Sequence, residues 1–554
     1  MTPWPLRHEY VQSGFLVRNL LQRFLDPPPG LLTRFARIFT QRKDSKLYVL
    51  VPPWHHCPVG YFMMVIGAAV QRQTSTEIHF LIDDIPYPAP NPTFDSELMA
   101  IEEMCDLLEG RFKVDRLSQL PVTRDPADQK KVAETAKRAI DFDITHRIGN
   151  RIIPYPAPED FVRTAEETLL SKGMRLARLW QGKAGDAIFI PGGAVNGSWL
   201  FTDLAAHFGL RRASFDCGDG TLYLSVDGVA AHQPDNAKTY ASLLSASQAE
   251  HDFAIAHARK ARSRREFQGD ELLQVKFDTS DVEPYDVVLC MSWEGDTAAI
   301  GLDYLFENAR DWLETTIHEL SKRRPGIRIA IRQHPAERAL ISQQGEEAVN
   351  RLRELQASGA NIGIFDAFSD VSTYELSRRA KVVVVGATTF GIEAAMLGLP
   401  VVLFRRAYYA GTDFVLAPKD REDYFRLIVE SVDGAHRLSA AQQDHAHLMY
   451  YIVELCNRDH TGFTPQPWDF LTWLENDPFA AMKSDNFQMI IRTVAGEAPY
   501  SLRKHQKLWA EHLETTSKAA ETPQKIASQQ SAATASPSLC LEAAQPRHQR
   551  NVRE

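Results

Sequence analysis

The chain has 554 residues, 44% of them hydrophobic and 24% charged, enough for two ordinary α/β domains and too many for one core. Its net charge of −9 excludes the basic footprint that bulk binding of nucleic acid requires. Six cysteines (57, 105, 217, 290, 456 and 540) lie scattered, with neither a C-x-x-C pair nor zinc spacing, as expected of a reducing compartment.

No run approaches the 18 or more apolar residues of a spanning helix, and the N-terminus lacks a signal-peptide pattern, so a cytoplasmic protein is expected. Residues 1–45 form a distinct segment. Leu16, Val17, Leu20, Leu21, Phe24 and Leu25, then Leu31, Leu32, Phe35, Ile38 and Phe39, alternate with Arg18, Arg23, Arg34, Arg37, Arg42 and Lys43 around a Pro27-Pro28-Pro29-Gly30 break. Two short basic amphipathic helices fit this spacing. They would either lie peripherally on the inner face of an anionic membrane or pack their apolar face on the first domain.

Residues 46–260 read as a first Rossmann-like domain. The β-branched runs KLYVLVPP (46–53), EIHFLIDD (77–84), DAIFIPGG (186–193) and RRASFDCG (211–218) end in polar or Gly/Pro loops, with helices expected at 98–109 and 160–180. The polar 120–150 stretch is expected to be an insertion or helical arm. A boundary falls near 250–284. Residues 285–435 repeat the grammar: YDVVLCMS (285–292), a helix near 302–323, IRIAIRQHP (327–335), a helix near 344–357, NIGIFD (361–366), a helix at 370–379, KVVVVG (381–386), a helix at 389–398 and PVVLFR (400–405). Helices return over 436–513, able to cross back to the first domain. From 515 to 554 an Ala/Ser/Thr/Gln/Pro-rich tail is expected to be disordered.

In open α/β sheets, ligands bind beyond the carboxyl ends of the strands, so the residues after each strand are the site candidates. The strongest is Gly386-Ala387-Thr388-Thr389-Phe390-Gly391, opening a helix that carries Glu393. Glycine admits close backbone approach, free amides and the helix end favour a phosphate, and Glu393 could accept from ribose hydroxyls. The plainer alternative is an N-cap threonine and an acidic first turn. Arg332-Gln333-His334-Pro335 ends another strand, leaving His334 able to donate to a phosphate or to serve structure alone. In the first domain, Gly192-Gly193-Ala194-Val195-Asn196-Gly197 and FDCGDGTLYLSVDG (215–228) follow strands. Asp216 or Asp219 could deprotonate an acceptor hydroxyl there, or merely cap a turn. Ser292 to Thr297, with Asp296, is either a ligand-facing loop or a helix start. Asp83-Asp84 and Asp141-Phe142-Asp143 are weak metal pairs, so neither metal nor cofactor is expected. No Walker loop and no G-x-S-x-G elbow is present.

In order, Asn196-Gly197, the acidic-Gly element at 216–220, IRQHP, GATTFGIEAAMLGLPVV and Tyr408-Tyr409-Ala410-Gly411 resemble the capsule polysaccharide biosynthesis family, which includes Kdo transferases; the likeness covers roughly residues 185–435. The resemblance implies a GT-B fold, with two Rossmann-type domains facing a cleft, and a glycosyltransferase that moves a nucleotide-activated sugar to a polysaccharide or glycolipid acceptor. It implies that His334, with Arg332, Thr388, Thr389, Gly391 and Glu393, holds a nucleotide, CMP being favoured. It makes an acidic residue of the Asp-Gly element the base, with Asp219 preferred over Asp216 for its glycine neighbour. Asn196, Gly197, Ser292 and Asp296 would line the cleft. A CDP-polyol phosphotransferase of teichoic-acid type and a non-catalytic glycan-binding assembly factor are the competing expectations.

Overall fold

The computed structural model describes residues 21–22, 25, 46–54, 59–74, 76–88, 94–149, 157–218, 221–268, 283–293, 295–335, 337, 343–357, 359–458 and 484–533. Within them the chain divides into a compact unit ending at His505 and a second unit beginning at Gln506.

The first domain opens with β1 (Lys46–Val51), α1 (Val59–Gln73), β2 (Glu77–Ile82), α2 (Phe94–Leu108), β3 (Lys113–Arg116), α3 (Pro126–Gly149), α4 (Glu159–Trp180), β4 (Ala187–Pro191), α5 (Ser198–His207), β5 (Arg211–Gly218) and β6 (Thr221–Ser225). The six strands order as β3-β2-β1-β4-β5-β6. All pair in parallel except β5 with β6, a hairpin in which Asp216 faces Tyr223. β1, β2 and β4 read as continuous apolar runs because both faces of the sheet are covered. The sequence did not announce β3. Its KVDR is an edge strand, where charged side chains discourage further pairing and erase the apolar signature.

After α6 (Asn236–Leu244) and α7 (Gln248–Gln268), the second domain runs β7 (Val287–Cys290), α8 (Ala309–Arg323), β8 (Ile329–Arg332), α9 (Gln343–Ala357), β9 (Ile362–Phe365), α10 (Thr373–Arg378), β10 (Val382–Val385), α11 (Phe390–Met396) and β11 (Val401–Leu403). Its sheet is wholly parallel, ordered β11-β10-β7-β8-β9. α8 starts seven residues later than its pattern suggested, because Asn308 caps it by accepting from the Asp311 amide at 2.9 Å. Trp312 of α8 stacks on Phe404 with ring centroids 3.7 Å apart, fixing the helix on the sheet.

The expected α/β architecture of two Rossmann-type domains, each built on a predominantly parallel sheet, is therefore present. α12 (Arg421–Val432) packs on the second sheet and α13 (Ala440–Tyr451) lies against α7 and α11. α14 (Asp485–Val494) returns to the first domain and buries Phe487, Ile490, Ile491 and Val494 in its core. Each such side chain contributes about 1.5–3 kcal/mol by leaving water.

One expectation needs correction, and one alternative is favoured at two positions. The tail expected to be disordered from 515 instead continues as helix α15 (Tyr500–Ala533) as far as Ala533; residues 534–554 lie outside the described residues. Its Ala, Glu, Lys and Gln residues propagate a helix on intrinsic propensity, which a composition argument about core burial does not register. In the segment 1–45, Leu21 is buried in the first core, Leu25 packs beside it and Arg72 donates to the Leu25 carbonyl at 2.8 Å. The apolar face is spent on the first domain at these two positions; the remainder of the segment, apart from Gln22, lies outside the described residues. Among the described residues no helix is long and apolar enough to cross a membrane.

Candidate active site

Strand order locates the crevices. In the second sheet the chain moves outward from β7 to β9, then returns to place β10 on the other side of β7, so the switch point lies between β7 and β10. The loops leaving these strands carry Ser292 and Gly386. A methyl group on Gly386 would come within 2.6 Å of Ser292 Oγ and 2.9 Å of Phe404, so glycine is required by packing. Ser292 is buried and its hydroxyl has no hydrogen-bond partner among the described residues.

The Gly386–Gly391 turn differs from its expected form. The amides of Thr388, Gly391 and Ile392 donate to Gly386, Thr388 and Thr389 carbonyls, and that of Phe390 donates to Thr388 Oγ1 at 3.4 Å. These groups are spent inside a tight turn, and the helix that follows has only seven residues. Gly391 is a glycine because Tyr409 lies over it. The Tyr409 hydroxyl donates to the Thr388 carbonyl at 2.6 Å, in the space a Cβ would take. The half-buried Thr388 and Thr389 side chains are left at the strand end, with Thr389 Oγ1 3.3 Å from the Tyr408 hydroxyl. Glu393 does not extend into solvent. It is 1% exposed and accepts from the Tyr374 hydroxyl at 2.9 Å.

At the end of β8, Arg332 is buried and its guanidinium donates to the Asp366 carbonyl at 2.5 Å and to Thr373 Oγ1 at 3.3 Å. Arg332 thus braces the loop after β9. Gln333 ties the same loop through Ala367 and holds Glu337 at 2.7 Å. His334, half-buried, stands on this scaffold at the carboxyl edge of the sheet.

In the first sheet the switch point lies between β1 and β4. Asn196 and Gly197, after β4, both adopt left-handed backbone (φ +56° and +74°), which aims consecutive amides at one point. That point is filled by Asp143 of α3, whose carboxylate accepts from Asn196 N at 2.5 Å, Gly197 N at 2.9 Å and the Tyr87 hydroxyl. Burial raises the Asp143 pKa to about 6 against these bonds and the nearby Arg147. Arg147 lies between the rings of Tyr87 and Phe161 and reaches Asn196 Oδ1 at 3.4 Å. Beneath this, Lys172 and Asp83 form a buried ion pair at 2.7 Å. The Asn196-Gly197 element is therefore a built part of the first domain, its amides already holding an internal anion.

The carboxyl edges of the two sheets meet at the loop after β7. Trp293 Nε1 donates to the Gly149 carbonyl at 3.3 Å. His146 Nδ1 and His232 Nε2 reach the Gly295 and Ile300 carbonyls at 2.8 and 2.7 Å. Burial lowers the proton affinity of both histidines, so they bond as neutral donors. Thr297 Oγ1 donates to Asp216 Oδ2 at 3.1 Å, while Asp216 Oδ1 accepts from Cys217 N at 2.8 Å. Burial, with a contribution from Asp296, lifts the Asp216 pKa to about 6. Burial also raises the Asp296 pKa, opposed by the Ala298 amide and by Arg405. Asp219 lies outside the described residues.

Of the weak metal pairs, Asp83 is tied to Lys172, Asp84 binds Ser118 N at 2.8 Å and Asp143 fills the amide pair. Among the described residues no group of three or more His, Cys, Asp or Glu side chains could hold a metal ion. The structure thus joins Asp216 with Asp296 across the domains, and Ser292 with the Gly386 turn. Sequence reasoning singled out the segments that carry Thr297 and Tyr409 without giving either side chain a role, and it passed over Tyr374 and the two histidines. Tyr409 lay in the Tyr-Tyr-Ala-Gly after β11 and Thr297 in the loop after β7, whereas His146 within α3, Tyr374 within α10 and His232 at the end of a short 3-10 turn are solitary residues that no motif marks.

Residues 234–416 match the family model described as capsule polysaccharide biosynthesis protein. No curated protein matches the chain. Among solved structures it is similar to the Thermosulfurimonas dismutans KpsC beta Kdo 2,4 transferase, at 14% identity over 52% of this chain and 87% of that one, with a TM-score of 0.32. It is similar also to the Neisseria meningitidis UDP-GlcNAc 2-epimerase (10%, 74% and 98%, TM-score 0.22) and the pneumococcal O-GlcNAc transferase GtfA (10%, 56% and 60%, TM-score 0.22). The stretch of the chain that is similar to the capsule polysaccharide biosynthesis family thus reaches from α6 to the loop after β11.

Proposed function

We propose that this protein transfers a sugar from a nucleotide-activated donor, CMP-linked in preference, to a growing surface polysaccharide or its glycolipid acceptor. The donor occupies the crevice of the second domain, near His334, Thr388 and Thr389, and the acceptor approaches from the first. Asp216 carries the reading, as a half-buried residue near the end of β5, facing the second domain, with its pKa raised to about 6. Such a group is ionised at neutral pH yet holds a proton better than an ordinary aspartate, as a general base must. In an inverting transfer, Asp216 takes the proton of the acceptor hydroxyl while that oxygen bonds to the anomeric carbon. The bond from that carbon to the phosphate oxygen breaks, and the nucleotide leaves with the electron pair. The chemistry calls for no metal.

The test is thermal stabilisation by CMP, CDP, UDP and GDP side by side, in EDTA, followed by mass analysis of the transferred group. CMP or CDP at a hundred times its dissociation constant should stabilise by about 2.7 kcal/mol. His334→Ala should weaken that response. Glu393→Gln is the matched probe of the second carboxylate, because Glu393→Ala would strip a buried partner from Tyr374. Asp216→Asn should keep nucleotide binding and lose about a hundred- to ten-thousand-fold in turnover. Stabilisation by UDP or GDP alone overturns the CMP assignment, and full turnover in Asp216→Asn overturns the base. A transferred polyol phosphate would replace the sugar with the teichoic-acid type of chemistry.

A further inference from the structure

The carboxyl on which the proposed reaction depends is held by both domains. Its Oδ1 is fixed from its own strand by Cys217 N, but its Oδ2 is held by Thr297, eighty-one residues further along the chain and in the other domain. The loop that presents Thr297 is docked by three further hydrogen bonds to the first domain, from His146, His232 and Trp293. It also closes on Phe142 of α3 at Gly301, whose φ of +81° and position against that ring leave no room for a side chain. A loop anchored on both sides of Thr297 presents one hydroxyl in one place. The same loop begins at Ser292, beside the crevice of the second domain.

We propose that Thr297 is the positioning residue of the Asp216 carboxyl, so that the reactive group of the first domain is oriented and kept ionisable only when the loop of the second domain is docked. This rests on the reading of Asp216 as the base. A hydroxyl donor stabilises the carboxylate over the carboxylic acid, opposing the burial that raises its proton affinity. Among the described residues, the other groups facing Asp216 are Asp296 on the docked loop and Tyr223 on β6; Arg458 and Glu454 act on Tyr223 in turn. Of these neighbours, Asp296 works against ionisation, and Thr297 is the cross-domain group that favours it.

The measurement needs no substrate. Asp216 has a folded pKa near 6, above its unfolded value of about 3.9, so its contribution to stability is present at low pH and lost as pH rises through 6. Thr297→Val should move that loss upward by about one pH unit, the size expected for one hydrogen bond to a charged group. It is read as the pH dependence of the melting temperature from pH 5 to 8, each variant measured against its Asp216→Asn counterpart. Thr297→Ser should restore the wild-type profile. In the Asp216→Asn background, Thr297→Val should leave the profile unchanged. An equal shift in both backgrounds, or no shift with Asp216 intact, overturns the proposal. Turnover by Asp216→Asn, measured separately as release of CMP from a CMP-sugar, reports on the base reading alone. Thr297 can therefore hold the carboxyl even if the base lies elsewhere, and the two failures are told apart.

Discussion

The Gly391→Ala substitution separates two reasons for a glycine at the start of α11. If the residue is small to admit a ligand, alanine costs binding; if it is small to admit Tyr409, alanine costs stability. An alanine Cβ would stand 2.9 Å from Val385 Cγ2 and 3.0 Å from Tyr409 Cζ, with the hydroxyl oxygen closer still. Both neighbours are buried, so overpacking should cost about 1–3 kcal/mol. Tyr409→Phe removes the bond to the Thr388 carbonyl, which keeps the Gly391 amide as a donor at 3.2 Å, so its cost should be small, about 0.5–1 kcal/mol. In the double variant the missing hydroxyl makes room for the methyl group, and the two costs should sum to about 1 kcal/mol more than is observed. Because a chain of this size need not unfold in one step, the assay is local: hydrogen exchange of peptides covering β10 and α11, with a nucleotide titration in parallel. Strict additivity would refute the packing argument. So would unchanged protection combined with lost nucleotide binding.

Lys172→Met should cost about 3–5 kcal/mol, since it strands the Asp83 carboxyl without its buried partner, and Asp83→Asn in the same chain should recover much of it. Chemical denaturation of the four variants checks this; a mild single variant would mean that Asp83 is satisfied elsewhere. For Asp143, with a folded pKa raised to about 6, the stabilising contribution exists below about pH 4 and disappears as pH rises through 6. Wild-type stability relative to Asp143→Asn should fall by on the order of 2–3 kcal/mol between pH 4 and 7, and a rising difference would contradict the sign.

The parallel strands were legible because burial on both faces leaves continuous runs such as Val382–Val385, and the loops behind them mark the carboxyl edge without further information. What escaped was whatever burial does not write. β3 is a charged edge strand, and β6 reverses direction through a hairpin that looks like a strand-end loop in sequence. At the site, His334, Glu393 and the pair Asp219 and Asp216, with Asp219 preferred, were chosen by residue type and position, but the partners of Glu393 and Asp216 were not. Tyr374 over Glu393 and Thr297 on Asp216 come from segments nineteen and eighty-one residues away. The glycines of the 386–391 turn were read for their freedom toward a ligand, when their nearest neighbours are Ser292 and Tyr409. Local spacing encodes a turn; it does not encode which distant side chain will lie over it.

The return of α14 to the first domain has a consequence for the order in which the protein is made. Phe487, Ile490, Ile491, Val494 and Tyr500 fill the same core as β1 and α1, and Arg211 on β5 donates to the Val494 carbonyl at 2.8 Å, 283 residues away. During synthesis, at about 5–20 residues per second, the first sheet is complete long before its last layer leaves the ribosome. The nascent first domain must wait for some tens of seconds with an apolar face uncovered, while the core cluster described for the second domain is complete at Val432 and its α13 at Tyr451, both before α14 is made. The domain encoded first is thus the one finished last, and chaperone binding to ribosome-bound chains should concentrate on α1 and β6 until residue 500 has emerged.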